Sequence, residues 1–177
     1  MEIRKFENGK TQEITKLFFE TFSDSEGEEE GVLIKELVSE LFEYVHTNEA
    51  RAYFAQDTEG KVIGAVFFSP LNYEDNEVVW MLSPMAVKTS EQGKGIGQAI
   101  IKFALRDLAE DGVKSACTYG DPAFYEKVGF EPVTTDKLPS PLPLSFPEGW
   151  LWNSFGNFQE LKGIPRCLAP FGSADLW

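Results

Sequence analysis

The stretch EQGKGIGQAI, residues 91–100, places glycines at 93, 95 and 97 directly ahead of an apolar run. Glycine at that density costs backbone entropy, so the segment needs either unusual dihedrals or something close to the bare backbone. Upstream, VVWMLSPMAV (78–87) reads as a strand with a proline inside. Pro84 cannot donate to a ladder, which predicts an edge, a strand end or a bulge. Downstream, Ile96, Ile100, Ile101, Ala104, Leu105 and Leu108 recur at helical spacing, and Gly112 is a natural stop. VKSACTYG (113–120) is a further strand. The whole is a β-loop-α-β unit, whose two strands run parallel with a right-handed crossover.

The flanking sequence places this unit in a larger sheet. IRKF (3–6) is a short strand, and TQEITKLFFETF (11–22) a helix with Thr11 as its N-cap. SDSEGEEEG (23–31), acidic and glycine-containing, reads as an exposed loop. VLIKELVSELFEYV (32–45) is a second helix with Leu33, Leu37, Leu41 and Val45 on one face. RAYFAQD and VIGAVFFSP form a hairpin across TEGK. DPAFYEKV (121–128) is a short helix with Asp121 as N-cap and Pro122 as its first residue. GFEPV returns the chain to extended structure. The order β-α-α-β-β-β-α-β-α-β implies an α/β (α+β) fold, a mixed sheet with helices on both faces. Residues 1–133 make one domain. Residues 134–177 form a Pro- and aromatic-rich extension packed on it, with Trp150, Trp152 and Trp177 as packing residues or, alternatively, as part of a homodimer contact.

Composition narrows the function classes. The chain has 177 residues, 42% of them hydrophobic, which suits one globular core. Its 29 acidic and 16 basic residues leave a net charge of −13, against nucleic-acid binding, which relies on a positive surface. The N-terminus has no apolar signal core, and no run reaches the ~18 apolar residues of a membrane span. Two cysteines without metal-ligand spacing and a single histidine supply neither a metal site nor a His-based triad. The expectation is a cytoplasmic protein with reduced thiols, without metal, nucleic acid or membrane.

The loop is no P-loop, because GxxxxGK followed by Ser or Thr is absent. Its GxGxG spacing, with Gln98 where a third glycine belongs, also departs from the dinucleotide fingerprint. It still combines free N–H groups with a helix N-terminus, an arrangement suited to an anion, and Lys94 adds a cation. From these residues alone it is either such a cradle or a tight turn that binds nothing.

Gln92-Gly93-Lys94-Gly95-Ile96-Gly97 resembles the Q/R-x-x-G-x-G/A motif of the GNAT N-acetyltransferase superfamily. MAV (85–87) stands where that family has the strand facing the acetyl group, and PAFYEKVGF (122–130) is similar to its later helix and turn. GDPAFY further resembles a bacterial subgroup of N-acetyltransferases with unassigned substrates. The resemblance covers roughly residues 1–133. It implies a mostly antiparallel sheet with one splayed parallel strand pair. It also implies acetyl-CoA as cosubstrate and direct transfer, in a ternary complex, to the amine of a small molecule or peptide. Pantetheine would lie along Met85, Ala86 and Val87, and the pyrophosphate on the amides of residues 92–97, with Gln98 beside them. Backbone N–H groups of Met85 or Val87 would polarise the thioester carbonyl. Tyr125, otherwise a core ring beside Phe124 and Phe130, would be the general acid for the leaving thiolate. A non-catalytic acyl-CoA sensor on the same fold is the alternative, because no base stands out. The central strand reads Val79-Trp80-Met81-Leu82, without a carboxylate. Glu77 reads as a turn residue, Asp121 as a cap, the carboxylates of 24–30 as a solvated face, His46 as a helix end and Cys117 as core.

Overall fold

The computed structural model describes residues 1–156 and 161–177; residues 157–160, part of the expected C-terminal extension, lie outside them. The chain forms β1 (Glu2–Lys5), α1 (Thr11–Glu26), α2 (Glu28–His46), β2 (Arg51–Gln56), β3 (Val62–Asn72) and β4 (Val78–Val87). It continues through α3 (Ile96–Glu110), β5 (Ser115–Tyr119), α4 (Pro122–Tyr125), β6 (Glu131–Pro132) and β7 (Trp150–Ser154). The strands hydrogen-bond in the order β1-β2-β3-β4-β5-β7-β6. β1–β2, β2–β3, β5–β7 and β6–β7 are antiparallel, and β4–β5 is parallel, as the β-loop-α-β reading requires. Among the described residues no helix is long and apolar enough to cross a membrane. The chain divides into two compact units, residues 1–68 with 84–104, and residues 69–83 with 105–177.

In the first unit, strand alternation sends neighbouring aromatics to opposite faces. Phe67 meets Phe18 of α1 and Phe42 of α2, with centroids 5.7 and 5.1 Å apart. Tyr53, whose ring meets Phe68 at 5.9 Å, meets Phe103 of α3 on the other face at 6.1 Å. Helices therefore cover both faces of this part of the sheet.

Two local expectations are corrected. Residues 23–31 are not a loop: α1 runs to Glu26, α2 starts at Glu28, and Gly27 alone, at φ 104°, separates them. The acidity that suggested a solvated loop belongs to a helix start, where Glu28, Glu29 and Glu30 face the positive end of the α2 dipole. Thr11 is not the N-cap of α1 either; Lys10 occupies that position and no side chain caps the helix. The helix start is pinned from outside instead. Lys10 Nζ donates to Glu13 Oε2 (2.6 Å) and to the Gly60 carbonyl (2.8 Å). Glu13 Oε1 in turn accepts the Val62 N–H at 2.7 Å.

The α1–α2 hairpin closes on Gly31. A Cβ there would run into Ser23 Oγ and stand 2.8 Å from the Phe19 carbonyl oxygen. Alanine gains about 1 kcal/mol of helix propensity over glycine. Overpacking against a backbone atom that cannot move aside costs about 1–3 kcal/mol. Gly31→Ala is therefore expected to be destabilising by about 1 kcal/mol, seen as a lower urea midpoint at unchanged m-value.

In the second unit, β7 pairs along the whole of β5, from Ser115 opposite Ser154 to Tyr119 opposite Trp150. Trp150 is fully buried; its indole N–H donates to the Leu138 carbonyl at 2.8 Å. Trp177 is also buried and stacks on Tyr119 at 6.3 Å, and its indole N–H donates to Phe171 O at 2.9 Å. Trp152 is part-exposed.

Candidate active site

The glycine loop lies wholly in the first unit. β4 ends at Val87, a 3₁₀ turn covers Thr89–Glu91, and α3 starts at Ile96. Gly93 and Gly95 adopt φ of 75° and 78°, and a Cβ on either would project into open space. L-residues avoid that conformation, so both glycines are required by the backbone itself. Gly97 sits inside the first turn of α3 and is not among the positive-φ glycines. The first bond of α3 runs from Ala99 N–H to the Gly95 carbonyl at 3.0 Å. The N–H groups of Ile96, Gly97 and Gln98 precede it and have no partner within the helix. They stand at the positive end of the α3 dipole, directly after the exposed residues Gly93, Lys94 and Gly95. The residues present fit a pyrophosphate: two glycines with nothing above them, and a row of unpaired amides behind.

The flanking contacts hold this loop in place. Gln92 N–H closes the preceding turn on Thr89 O at 3.4 Å, so that amide is already engaged. The Gln92 side chain reaches back instead, its Nε2 donating to Val87 O at 3.0 Å. Lys94 Nζ pairs with Glu91 at 2.9 Å. Thr89 Oγ1 donates to Asp24 Oδ2 at 2.7 Å, linking the loop approach to the end of α1. Gly64 lets α3 lie close on β3: a Cβ there would stand 2.8 Å from Ile100 Cδ1 and 3.3 Å from Ile96 Cγ2. Ala86 and Val87 are buried and Met85 is part-exposed.

Tyr125 lies in the second unit. Asp121 Oδ1 accepts the Ala123 N–H at 2.9 Å and Pro122 follows it, so the cap and N1 residue of α4 are those the sequence predicts. Gly129 ends the turn at φ 92°. The Tyr125 ring packs edge-on against Phe124 and Phe130, with centroids 5.1 and 5.8 Å away. The residue is part-exposed as a whole, but burial of its hydroxyl pushes the phenol above the ordinary tyrosine value. The Asp121 carboxylate pushes the same way, and a hydrogen bond with Thr118 opposes both. The phenol is thus protonated throughout the neutral range, as a proton donor must be.

β4 and β5 pair from Trp80 opposite Ala116 to Leu82 opposite Thr118. Pro84 lies beyond the last of these pairs. Of the candidate bases, Glu77 is ion-paired with Lys114 at 3.0 Å. His46 ends α2 with its ring against Phe6 and Phe42. Cys117 is fully buried, and burial raises its thiol well above the ordinary value.

A family profile described as an acetyltransferase (GNAT) domain matches residues 48–132. The chain carries a GNAT acetyltransferase domain. The chain is 38% identical over 78 residues to YhbS of Escherichia coli K12, an uncharacterized N-acetyltransferase; the match takes in 44% of this chain and 47% of that one. The chain thus spans about half the length of this curated relative. YjhQ of the same organism, described in the same words, is 29% identical over 142 residues, covering 76% of this chain and 78% of the relative. The crystal structure of E. coli YhbS in complex with CoA superposes with a TM-score of 0.74 at 26% identity, over 86% of this chain and 80% of that one. A Brucella melitensis GNAT acetyltransferase in complex with acetyl-CoA gives 0.71 at 21% identity, over 96% and 97%, and so shares the fold. The expected mixed, mostly antiparallel GNAT sheet is the one that forms.

Two glycines that pack against candidate site elements carried no signal in the sequence. Gly64 and Gly120 read as ordinary strand and strand-end glycines. Their roles depend on what packs against them, which a linear pattern does not express.

Proposed function

We propose that this chain is an acetyl-CoA-dependent N-acetyltransferase that moves the acetyl group directly to the amine of a small molecule or peptide, in a ternary complex. The observation that carries the reading is the glycine loop. Two backbone positions that only glycine tolerates open onto the free amides of a helix start, and the CoA complex of YhbS supports CoA as the ligand. The amides of Gly93, Gly95, Ile96, Gly97 and Gln98 would receive the pyrophosphate, and the backbone of Met85–Val87 the pantetheine and thioester. In the transfer, the amine nitrogen bonds to the acetyl carbon as the carbon–sulfur bond breaks. The amine sheds a proton, and the departing thiolate takes one from Tyr125. No enzyme nucleophile is required. The cytoplasm, where Cys117 and Cys167 remain free thiols, is the proposed compartment.

Thermal unfolding with CoA, acetyl-CoA and NADH tests the ligand. At about 100 times Kd a ligand stabilises by about 2.7 kcal/mol. For a chain of this size that corresponds to about 5–10 °C in Tm. Both CoA species should produce the shift and NADH none; no response to either CoA species overturns the reading. A second reading, a CoA-binding sensor without catalysis, is favoured by one observation: Glu77, the carboxylate nearest the central strand in sequence, is held by Lys114. Thiol release from acetyl-CoA across a panel of amines separates the two, since a sensor binds and releases nothing.

A further inference from the structure

Gly120 follows the last residue of β5 and precedes Asp121, the cap of α4. The three atoms nearest to where its Cβ would stand all belong to the Tyr125 ring: Cε2 at 2.8 Å, Cδ2 at 3.6 Å and Cζ at 3.7 Å. Cδ2 and Cζ flank Cε2 and are almost equally far, so the ring presents its Cε2 edge to the glycine. Cε2 is bonded to Cζ, which carries the hydroxyl. Backbone dihedrals do not require glycine here, since Gly120 is not among the positive-φ glycines. Nor is a backbone atom the nearest obstacle, as the Gly120 carbonyl oxygen is for Gly149 at 2.9 Å. What the missing side chain makes room for is the edge of the phenol.

The backbone of Gly120 is held on both sides. Its N–H donates to the Gly149 carbonyl at 2.9 Å, next to the β5–β7 pair of Tyr119 and Trp150. Its carbonyl oxygen abuts Gly149, where a Cβ would be 2.9 Å away. Beyond it, the Asp121 carbonyl accepts the Phe124 and Tyr125 N–H groups at 3.1 and 3.2 Å. A side chain at 120 therefore displaces the ring rather than the chain. Carbon atoms in contact prefer about 3.5–4.0 Å, so from 2.8 Å the ring must withdraw by about 0.7 Å or more. We propose that Gly120 is a positioning residue for Tyr125: by lacking a Cβ it lets the edge that bears the hydroxyl settle onto the end of β5, and Gly149 fixes the height of that seat. The inference rests on the acid role assigned to Tyr125 above. Misplacement of a reacting group by about 1 Å can cost about 10²-fold in rate.

The test uses the full chain and the panel amine that turns over fastest. Gly120→Ala should lower kcat by about 10–100-fold at unchanged KM for acetyl-CoA, because the glycine loop is untouched. In the Tyr125→Phe background the same substitution should add no further loss, since no hydroxyl is left to misplace. In protein carrying ¹³Cζ-tyrosine, the Tyr125 resonance, assigned by its loss in Tyr125→Phe, should move in Gly120→Ala. An unchanged kcat, an unmoved resonance, or a full additional loss on top of Tyr125→Phe overturns the proposal. Should Gly120→Ala fail to fold, adding Tyr125→Ala should restore folding by removing the crowded ring. A double variant that stays unfolded where Tyr125→Ala alone folds overturns the proposal too. If Tyr125→Phe itself is silent, the acid reading fails instead, while the resonance still reports whether Gly120 seats the ring.

Discussion

Tyr125→Phe is expected to lower kcat for acetyl transfer by about 10²–10⁴-fold, the usual range for loss of a general acid. The Kd for acetyl-CoA should stay essentially unchanged, because the glycine loop is untouched. The phenylalanine ring keeps the contacts with Phe124, Phe130 and Gly120, so stability should change little. The pH profile adds a second readout. Burial raises the phenol above the ordinary tyrosine value, so its protonated form persists to higher pH than that of an exposed tyrosine. The wild-type alkaline limb caused by this group should therefore lie above about pH 10, and Tyr125→Phe should abolish it. A variant with wild-type kcat across the profile removes Tyr125 from the mechanism.

The largest stability effect is expected at Trp150. Trp150→Ala removes a fully buried indole that meets Tyr119 at 6.4 Å and Trp177 at 6.1 Å. Truncations of this kind cost about 3–5 kcal/mol. That is a large share of the ~5–15 kcal/mol by which a domain is stable. Trp150→Phe separates the contributions. It keeps most of the apolar bulk but leaves the Leu138 carbonyl without its indole partner, at about 1–3 kcal/mol. Urea unfolding of both should rank Ala well below Phe, and Phe below wild type. Near-equal midpoints for wild type and Trp150→Ala would mean that residues 134–177 contribute little to the second unit.

Local signals in the sequence were read well where one residue carries one requirement. Asp121 and Pro122 are a cap and an N1 residue whatever surrounds them, and Gly93 at φ 75° could hardly be anything but glycine. The strand 78–87 and its parallel partner follow from periodicity and connection length. Residues 23–31 misled because acidity and glycine are shared by loops and by helix starts. Only the burial of Gly31 against Ser23 and Phe19 distinguishes them. Strand β7 was not legible at all. Its aromatic residues fit many settings, and its strand form comes from pairing with β5 and β6. In the candidate site, the loop and Tyr125 stand out by motif, whereas Gly120 matters only once the Tyr125 ring is known to cover it.

The ion pair between Lys94 and Glu91 has a consequence for discrimination. The loop's one cation is already matched, and the chain carries a net charge of −13. An approaching polyanion meets no attraction at range, and within about 8 Å at physiological salt it meets an acidic field. If the loop takes the pyrophosphate, recognition would fall to groups that act only on touching: unpaired amides, a helix end, and two glycines that leave room. An anion without the matching shape would gain nothing there to offset that field, and the acidity of the chain would become part of its selectivity.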